Sequence, residues 1–350
     1  MTDSENRYSC PIAEPVGEPI TLAHGEGGRL TRRLIVEHLL PVLGNQILSS
    51  LGDAAALPKV DSPLAFTTDS FVVSPLFFPG GDIGTLAVYG TVNDLAVSGA
   101  RPRWISLSLI IEEGLPFAVL DRILQSIAMA AKMAQVEVVT GDTKVVPTGA
   151  VDKIFINTAG IGEILAPAPS GPASLEAGDE LIVTGPLGRH GIAVLVSREN
   201  MGFQPPPESD CAPLTPAVEL LREGQCPIRA MRDATRGGVA AVLHEWASLA
   251  VATMQIDEAL LPVTSDVRGV CELLGLDPLH IANEGVMVIA VPAGWGTRTV
   301  SLLGSLKLTS QAAVIGRVIP QKMAPVIVRR GIGMDQPLDE PLGSPLPRIC

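Results

Sequence analysis

Residues 166–174 read APAPSGPAS, a run of proline, alanine, glycine and serine that no regular helix or central strand passes through, and it divides the 350-residue chain near its middle. Each half is long enough for one domain, since globular domains run to roughly 100 to 200 residues. Upstream, β-branched runs at Leu64–Thr67, Trp104–Ile111, Val136–Thr140 and Lys153–Ile161 predict strands. Asp82–Ser98 and Pro116–Ala134 predict helices, because apolar residues recur there at helical spacing behind suitable start residues. Downstream the same ingredients return. Glu180–Thr184, Val251–Ile256, Val286–Val291 and Ala312–Ile319 read as strands, and Arg189–Arg198, Thr215–Glu223, Thr235–Leu249 and Trp295–Leu306 as helices. The expected fold class is α+β, with two α/β domains over residues 21–165 and 175–332 behind an N-terminal extension of residues 1–20.

From Gly333 onward Pro337, Pro341, Pro345 and Pro347 interrupt any helix or ladder, which predicts a mobile, Pro-rich tail over residues 333–350. Fully extended, it would span about 60 Å. Its last residue is Cys350.

Charge and cysteine usage narrow the function. The chain carries 37 acidic against 25 basic residues, a formal charge of −12, so phosphate backbones and anionic lipid would be repelled. No nucleic-acid or membrane partner is expected. The longest apolar runs, Trp246–Met254 and Val286–Trp295, fall short of the roughly 20 residues that span a bilayer. The opening MTDSENRYSCP has no hydrophobic signal region, so a cytoplasmic protein is expected. Five cysteines without a CxxC pair suit a reducing compartment, and five histidines without ligand spacing give no zinc or nickel signature.

The glycine turn at His24-Gly25-Glu26-Gly27-Gly28 lacks the spacing of a P-loop and the third glycine of a dinucleotide-binding loop. What recurs instead is aspartate in turns of small residues: Asp53, Asp69, Asp94, Asp142 and Asp233. A single such residue is commonly an N-cap or turn former. Several of them can nevertheless converge on Mg²⁺, a hard ion that takes a few carboxylates together with substrate phosphates. Asp94 stands out, because Thr91–Gly99 is otherwise an apolar helical stretch and a buried carboxylate is costly unless paired or metal-bound. Asp142, Thr143 and Lys144 follow a strand and present an acid and a base together, which a surface ion pair would also explain. Glu284 precedes the apolar run Val286–Val291. Asp233 opens a helix N-terminus, where backbone N–H groups favour an anion. Cys350 ends an extended arm beside Arg348 and reads as an exposed, reactive carrier thiol.

Taken together, His24–Gly28, Asp69–Val73, Pro75–Gly84, Thr91–Ala96, Gly141–Lys144 and the closing Pro347-Arg348-Ile349-Cys350 closely resemble the HypE family of hydrogenase maturation factors. That family lies in the superfamily of aminoimidazole ribonucleotide synthetase and selenophosphate synthetase, and the resemblance runs from about His24 to Cys350. It implies two domains of the aminoimidazole ribonucleotide synthetase type, a homodimer formed through the N-terminal sheet, and ATP and Mg²⁺ as cofactors. It implies that a carbamoyltransferase, HypF, loads Cys350, that the S-carboxamide is dehydrated to an S-cyanate at the expense of ATP, and that the cyano group passes to the iron of a nickel–iron hydrogenase on a HypC–HypD scaffold. Motif by motif, Asp53, Asp69, Asp94 and Asp233 would hold Mg²⁺–ATP. Asn93, Asp142, Thr143 and the loop of His24, Gly25, Gly27 and Gly28 would surround the phosphates. Lys144 and Glu284 would carry out the dehydration, Glu284 accepting the proton and Lys144 stabilising charge, or the two in exchanged roles. A selenophosphate-type synthetase would keep a lysine close behind an N-terminal cysteine, whereas Cys10 is followed by Pro11 and no nearby lysine. A non-catalytic scaffold with a tail thiol would show no ATP turnover.

Overall fold

The computed structural model describes residues 19–331, 333–343, 346, 348 and 349. Two short helices, α1 (Arg29–Leu34) and α2 (Leu40–Leu43), lead into β1 (Leu64–Phe71) and a small ribbon of β2 (Phe77–Phe78) and β3 (Gly81–Asp82). Helix α3 (Ile83–Val97), β4 (Ala100–Glu112), α4 (Phe117–Ala134), β5 (Glu137–Val146) and β6 (Ile154–Ile164) complete the first half. Its four strands lie in the order β1-β6-β4-β5, antiparallel except for β4 and β5, which run parallel because α4 carries the chain back between them.

Sequence chemistry explains why α3 starts where it does. Asp82 caps it, its Oδ1 accepting from the N–H of Gly84 at 2.8 Å and of Thr85 at 2.9 Å, while the Thr85 hydroxyl accepts from the Asp82 N–H. Every residue of α3 except Thr85 and Asp94 is buried. A helix apolar on all sides must be covered on all sides, and α3 packs on the first sheet, on α4 and on elements of the second half.

The second half contains β7 (Glu180–Val183), α5 (Arg189–Arg198), α6 (Thr215–Glu223), β8 (Ala230–Asp233), α7 (Gly238–Ala250) and β9 (Thr253–Asp257). It continues through α8 (Ser265–Leu274), β10 (Met287–Val291), α9 (Gly296–Leu303), β11 (Ala313–Ile319), β12 (Val326–Arg330) and β13 (Met334–Pro337). The seven strands lie in the order β13-β12-β9-β11-β7-β10-β8, with β12 and β9 the parallel pair. β10, buried at all five positions, sits between β7 and β8, as expected of a continuous apolar run.

The start of the tail differs from the expectation. β13 pairs antiparallel with β12, so the chain stays in the sheet to Pro337. Leu338, Leu346 and Ile349 are buried, the last two in the same apolar cluster as Ile105, Ile123 and Ile156 of the first half. Apolar residues placed along a Pro-rich segment thus seat its described part on the body. Cys350 lies outside the described residues.

Candidate functional site

Asp69 is on the face of β1 that looks toward α3, over Gly90. A Cβ at position 90 would stand 2.7 Å from the Phe71 ring and 3.7 Å from Asp69 Oδ2, so the small residue lets strand and helix close up around the carboxylate. One helical turn on, Asp94 Oδ2 accepts from the Thr67 hydroxyl at 2.9 Å. Asp233, at the end of β8, and Glu284, in the loop before β10, approach the same helix from the second half.

These acids feel one another. Burial, with Asp94 as the next cause, pushes Asp233 up to about 7. Burial raises Asp69, opposed by the Ser70 N–H and by Arg236, and raises Asp94, opposed by Thr67 and reinforced by Asp69. Glu284 is pushed well above the usual carboxylate range by burial and then by Asp210, Asp233 and Asp69. A cluster that resists ionisation when alone is the donor chemistry a hard divalent cation relieves, so Asp69, Asp94 and Asp233 fit Mg²⁺. Among the described residues, no three His, Cys, Asp or Glu side chains already stand in a metal-holding group.

A second group of predicted residues lines a separate cavity of about 660 Å³ beside β5, where Gly27, Gly28, Asp53, Asp142 and Thr143 meet. Asp53 is exposed there and does not join the other three acids. The Asp142 carboxylate accepts its neighbour Thr143 N–H at 2.9 Å. Sheet order separates the two regions: β1 and β5 are opposite edges, about three strand spacings or ~14 Å apart. Pleat separates them again. The rung Ser70–Asn157–Ser108–Asp142 puts Asp142 on the face away from α3, and Lys144, opposite Ile110, shares that face, whereas Asp69 points the other way. Lys144 and Glu284 are therefore not brought together within one chain.

Two of the residues expected around the phosphates have other partners in the fold. Asn93 is buried with its amide fully engaged: Nδ2 donates to the carbonyls of Ala212 at 3.0 Å and Glu284 at 3.3 Å, and Oδ1 accepts from the Leu214 N–H at 2.7 Å. It braces the Glu284 loop. His24 turns away from the β5 cavity. Its Nδ1 lies 3.1 Å from the Thr21 N–H it accepts from, and its ring meets Phe117 edge-on. Buried Gly25 packs so closely on β5 that a Cβ would stand 2.2 Å from the Val145 backbone nitrogen, which only glycine permits.

Sequence reasoning missed Asp210. Its Oδ2 accepts the N–H groups of Glu284 and Gly285 at 3.2 and 3.0 Å, and its buried Oδ1 has no hydrogen-bond partner. Burial raises its pKa, and it in turn raises those of Glu284 and the neighbouring thiol of Cys211. Nothing in the Pro-rich stretch around it marks that role. Arg236, which tempers both Asp69 and Glu284, sat in plain view beside Asp233.

Residues 52–164 match the family model of the AIR synthase related protein N-terminal domain, and residues 176–329 that of its C-terminal domain. Carbamoyl dehydratase HypE of Escherichia coli (strain K12) is 48% identical over 337 residues, covering 95% of this chain and 99% of that protein. A crystal structure of hydrogenase maturation protein HypE in complex with ATP superposes with a TM-score of 0.90 at 43% identity, covering 94% and 99% of the two chains. A HypE–HypF complex structure matches with a TM-score of 0.76 at 41% identity, over 90% and 100%. With both domain models matched and close identity sustained along nearly the whole length, the chain belongs to the HypE carbamoyl dehydratases of the AIR synthase related family.

Proposed function

We propose that the chain is an ATP-dependent carbamoyl dehydratase acting on its own Cys350, with the division into domains 21–165 and 175–332 set out above. A HypF-type carbamoyltransferase places a carbamoyl group on the thiol. The amide oxygen attacks the γ-phosphoryl group of ATP, ADP leaves, and one N–H proton is lost. Loss of the second proton then expels phosphate and leaves the S-cyanate, which supplies the cyano ligand of a nickel–iron hydrogenase through a HypC–HypD scaffold. Phosphorylation is needed because an amide oxygen is a poor leaving group.

The observation that carries the reading is the carboxylate group that half-buried Asp69 on β1 and Asp94 on α3 form with buried Asp233 on β8 and Glu284 in the loop before β10. Asp69, Asp94 and Asp233 would hold Mg²⁺, which when bound neutralises phosphate charge. Glu284, which burial and Asp210 hold toward its protonated form, would accept the amide proton once ionised. Lys144 would stabilise developing charge. Gly27, Gly28, Asp53, Asp142 and Thr143 line a cavity able to take part of the nucleotide. The face of the first sheet away from α3 supports a homodimer: it exposes Phe66 (69%) and Ile110 (38%) in the company of Asp142 and Lys144. Intact-mass analysis after mixing with the carbamoyltransferase, carbamoyl phosphate and ATP tests the proposal. It should show one carbamoyl adduct on Cys350 and then the loss of one water; an adduct that never dehydrates refutes it.

A further inference from the structure

Three of the chain's five histidines touch the C-terminal strap, and each does so at a backbone carbonyl. His244 Nε2 lies 3.0 Å from the carbonyl oxygen of Leu338, His280 Nε2 2.9 Å from that of Asp339, and His190 Nε2 2.6 Å from that of Ile349. A carbonyl can only accept, so all three rings carry their proton on Nε2. For His190 the other nitrogen must then accept, and the Ser209 hydroxyl donates to Nδ1 at 2.9 Å. The ring is fully buried, edge-on to Phe78 at 5.3 Å, and burial holds it down at about 4, so it is neutral at working pH.

The strap's contacts are unevenly spread. Its root is held by His244, by His280 and by the Leu338 N–H donating to Val326 O at 3.1 Å, all against the second sheet and its helices. Its tip is held elsewhere. The Arg348 carbonyl accepts from the Ser74 N–H at 3.2 Å and from Arg198 Nη2 at 2.8 Å, the Arg348 side chain pairs with Asp152, and Leu346 lies over Gly191, where a Cβ would meet Ile281 at 2.6 Å and Leu346 at 3.3 Å. Ser209 ties the tip to the catalytic loop, because the next residue, Asp210, accepts the Glu284 N–H.

We propose that His190 is the positioning residue for the strap tip, holding the Ile349 carbonyl, and that His244 and His280 fix the root at Leu338 and Asp339. The assignment gains its purpose from Cys350 as carrier, yet the test below uses neither ATP nor carbamoylation, so its failure is separable from failure of the proposed reaction.

The test is peptide-resolved iodoacetamide labelling of the full-length protein without nucleotide. His190→Ala should raise the labelling rate at Cys350 at least fivefold while buried Cys226 and Cys271 stay protected, and His190→Gln, which keeps an N–H donor at similar reach, should restore most of the protection. An unchanged Cys350 rate, or all three thiols opening together, overturns the assignment. Should the alanine variant fail to fold, ¹⁵N-histidine spectra answer the same question without altering the ring: deleting Ile349 and Cys350 should move the His190 Nε2 resonance and leave those of His244 and His280 in place. A His190 resonance that does not move overturns it as well.

Discussion

Asn93 and Glu284 are 191 residues apart in sequence, yet the Asn93 amide donates to the Glu284 carbonyl at 3.3 Å, and the same side chain holds Ala212 and Leu214 on the other side of the loop. Asn93→Ala would leave the Leu214 N–H and the Ala212 carbonyl without this partner, while the Glu284 carbonyl keeps the Ala212 N–H at 3.3 Å. It should cost about 2 to 4 kcal/mol of stability, read by denaturant unfolding. Because the loop it braces carries Glu284, the surviving folded protein should also lose cyanate formation at least tenfold with ATP affinity little changed. Full activity in a destabilised variant would separate the two roles.

Glu284→Gln keeps the shape of the side chain and removes its ability to take a proton. The variant should still bind ATP and still accept a carbamoyl group on Cys350, but accumulate the S-carboxamide in intact-mass spectra, with dehydration slowed a hundredfold or more. Lys144→Ala should show the same accumulation. Cyanate formed at the parent rate by either variant would remove that residue from the chemistry.

Asp233 releases its proton at about 7 in the folded chain against an ordinary 3.8. Between those values the folded state holds a proton that the unfolded state has lost, so without metal the stability falls as pH rises from about 4 to about 7 and levels off above. Asp233→Asn should flatten that slope and leave the ligand-free protein more stable than its parent at pH 8, measured by thermal unfolding.

Magnesium–nucleotide binding should run in the opposite sense, because the acids must be ionised to hold a cation. Affinity measured by calorimetry should weaken as pH drops through 7, with proton release in buffers of differing ionisation enthalpy. Asp94→Asn should weaken binding at every pH. A flat profile would count against the Asp69, Asp94 and Asp233 site.

Phe66 offers a test of self-association, being 69% exposed on the uncovered face of the first sheet. Phe66→Asp should shift the protein from dimer to monomer in light scattering behind size exclusion while each chain stays folded.

Much of the scaffold was legible because its apolar patterns are strong. α3 and α4 fall within a residue of their expected limits, and β7, β10 and β11 start within a residue of where β-branched runs place them. β13 was not readable: all four of its residues are exposed, so an edge strand of this kind leaves no alternation to find. α8 did carry a signal, with Val267, Val270 and Cys271 at helical spacing and buried.

The site was legible in its residue types and not in its assembly. Turn aspartates suggested a cation, but that Asp69, Asp94 and Asp233 share a neighbourhood while Asp53 and Asp142 belong to another follows from strand order and pleat, which no local spacing encodes. Asn93 was ambiguous in sequence for a physical reason. An amide in an apolar helix is equally suited to a ligand and to tying down a loop, and only the fold shows which loop is present.

Because all three histidines grip carbonyl oxygens, the strap is held at those points by its backbone as well as by the buried side chains of Leu338 and Ile349. Such a grip works as a ruler: adding or removing a single residue between Asp339 and Ile349 should move the Ile349 carbonyl out of step with His190.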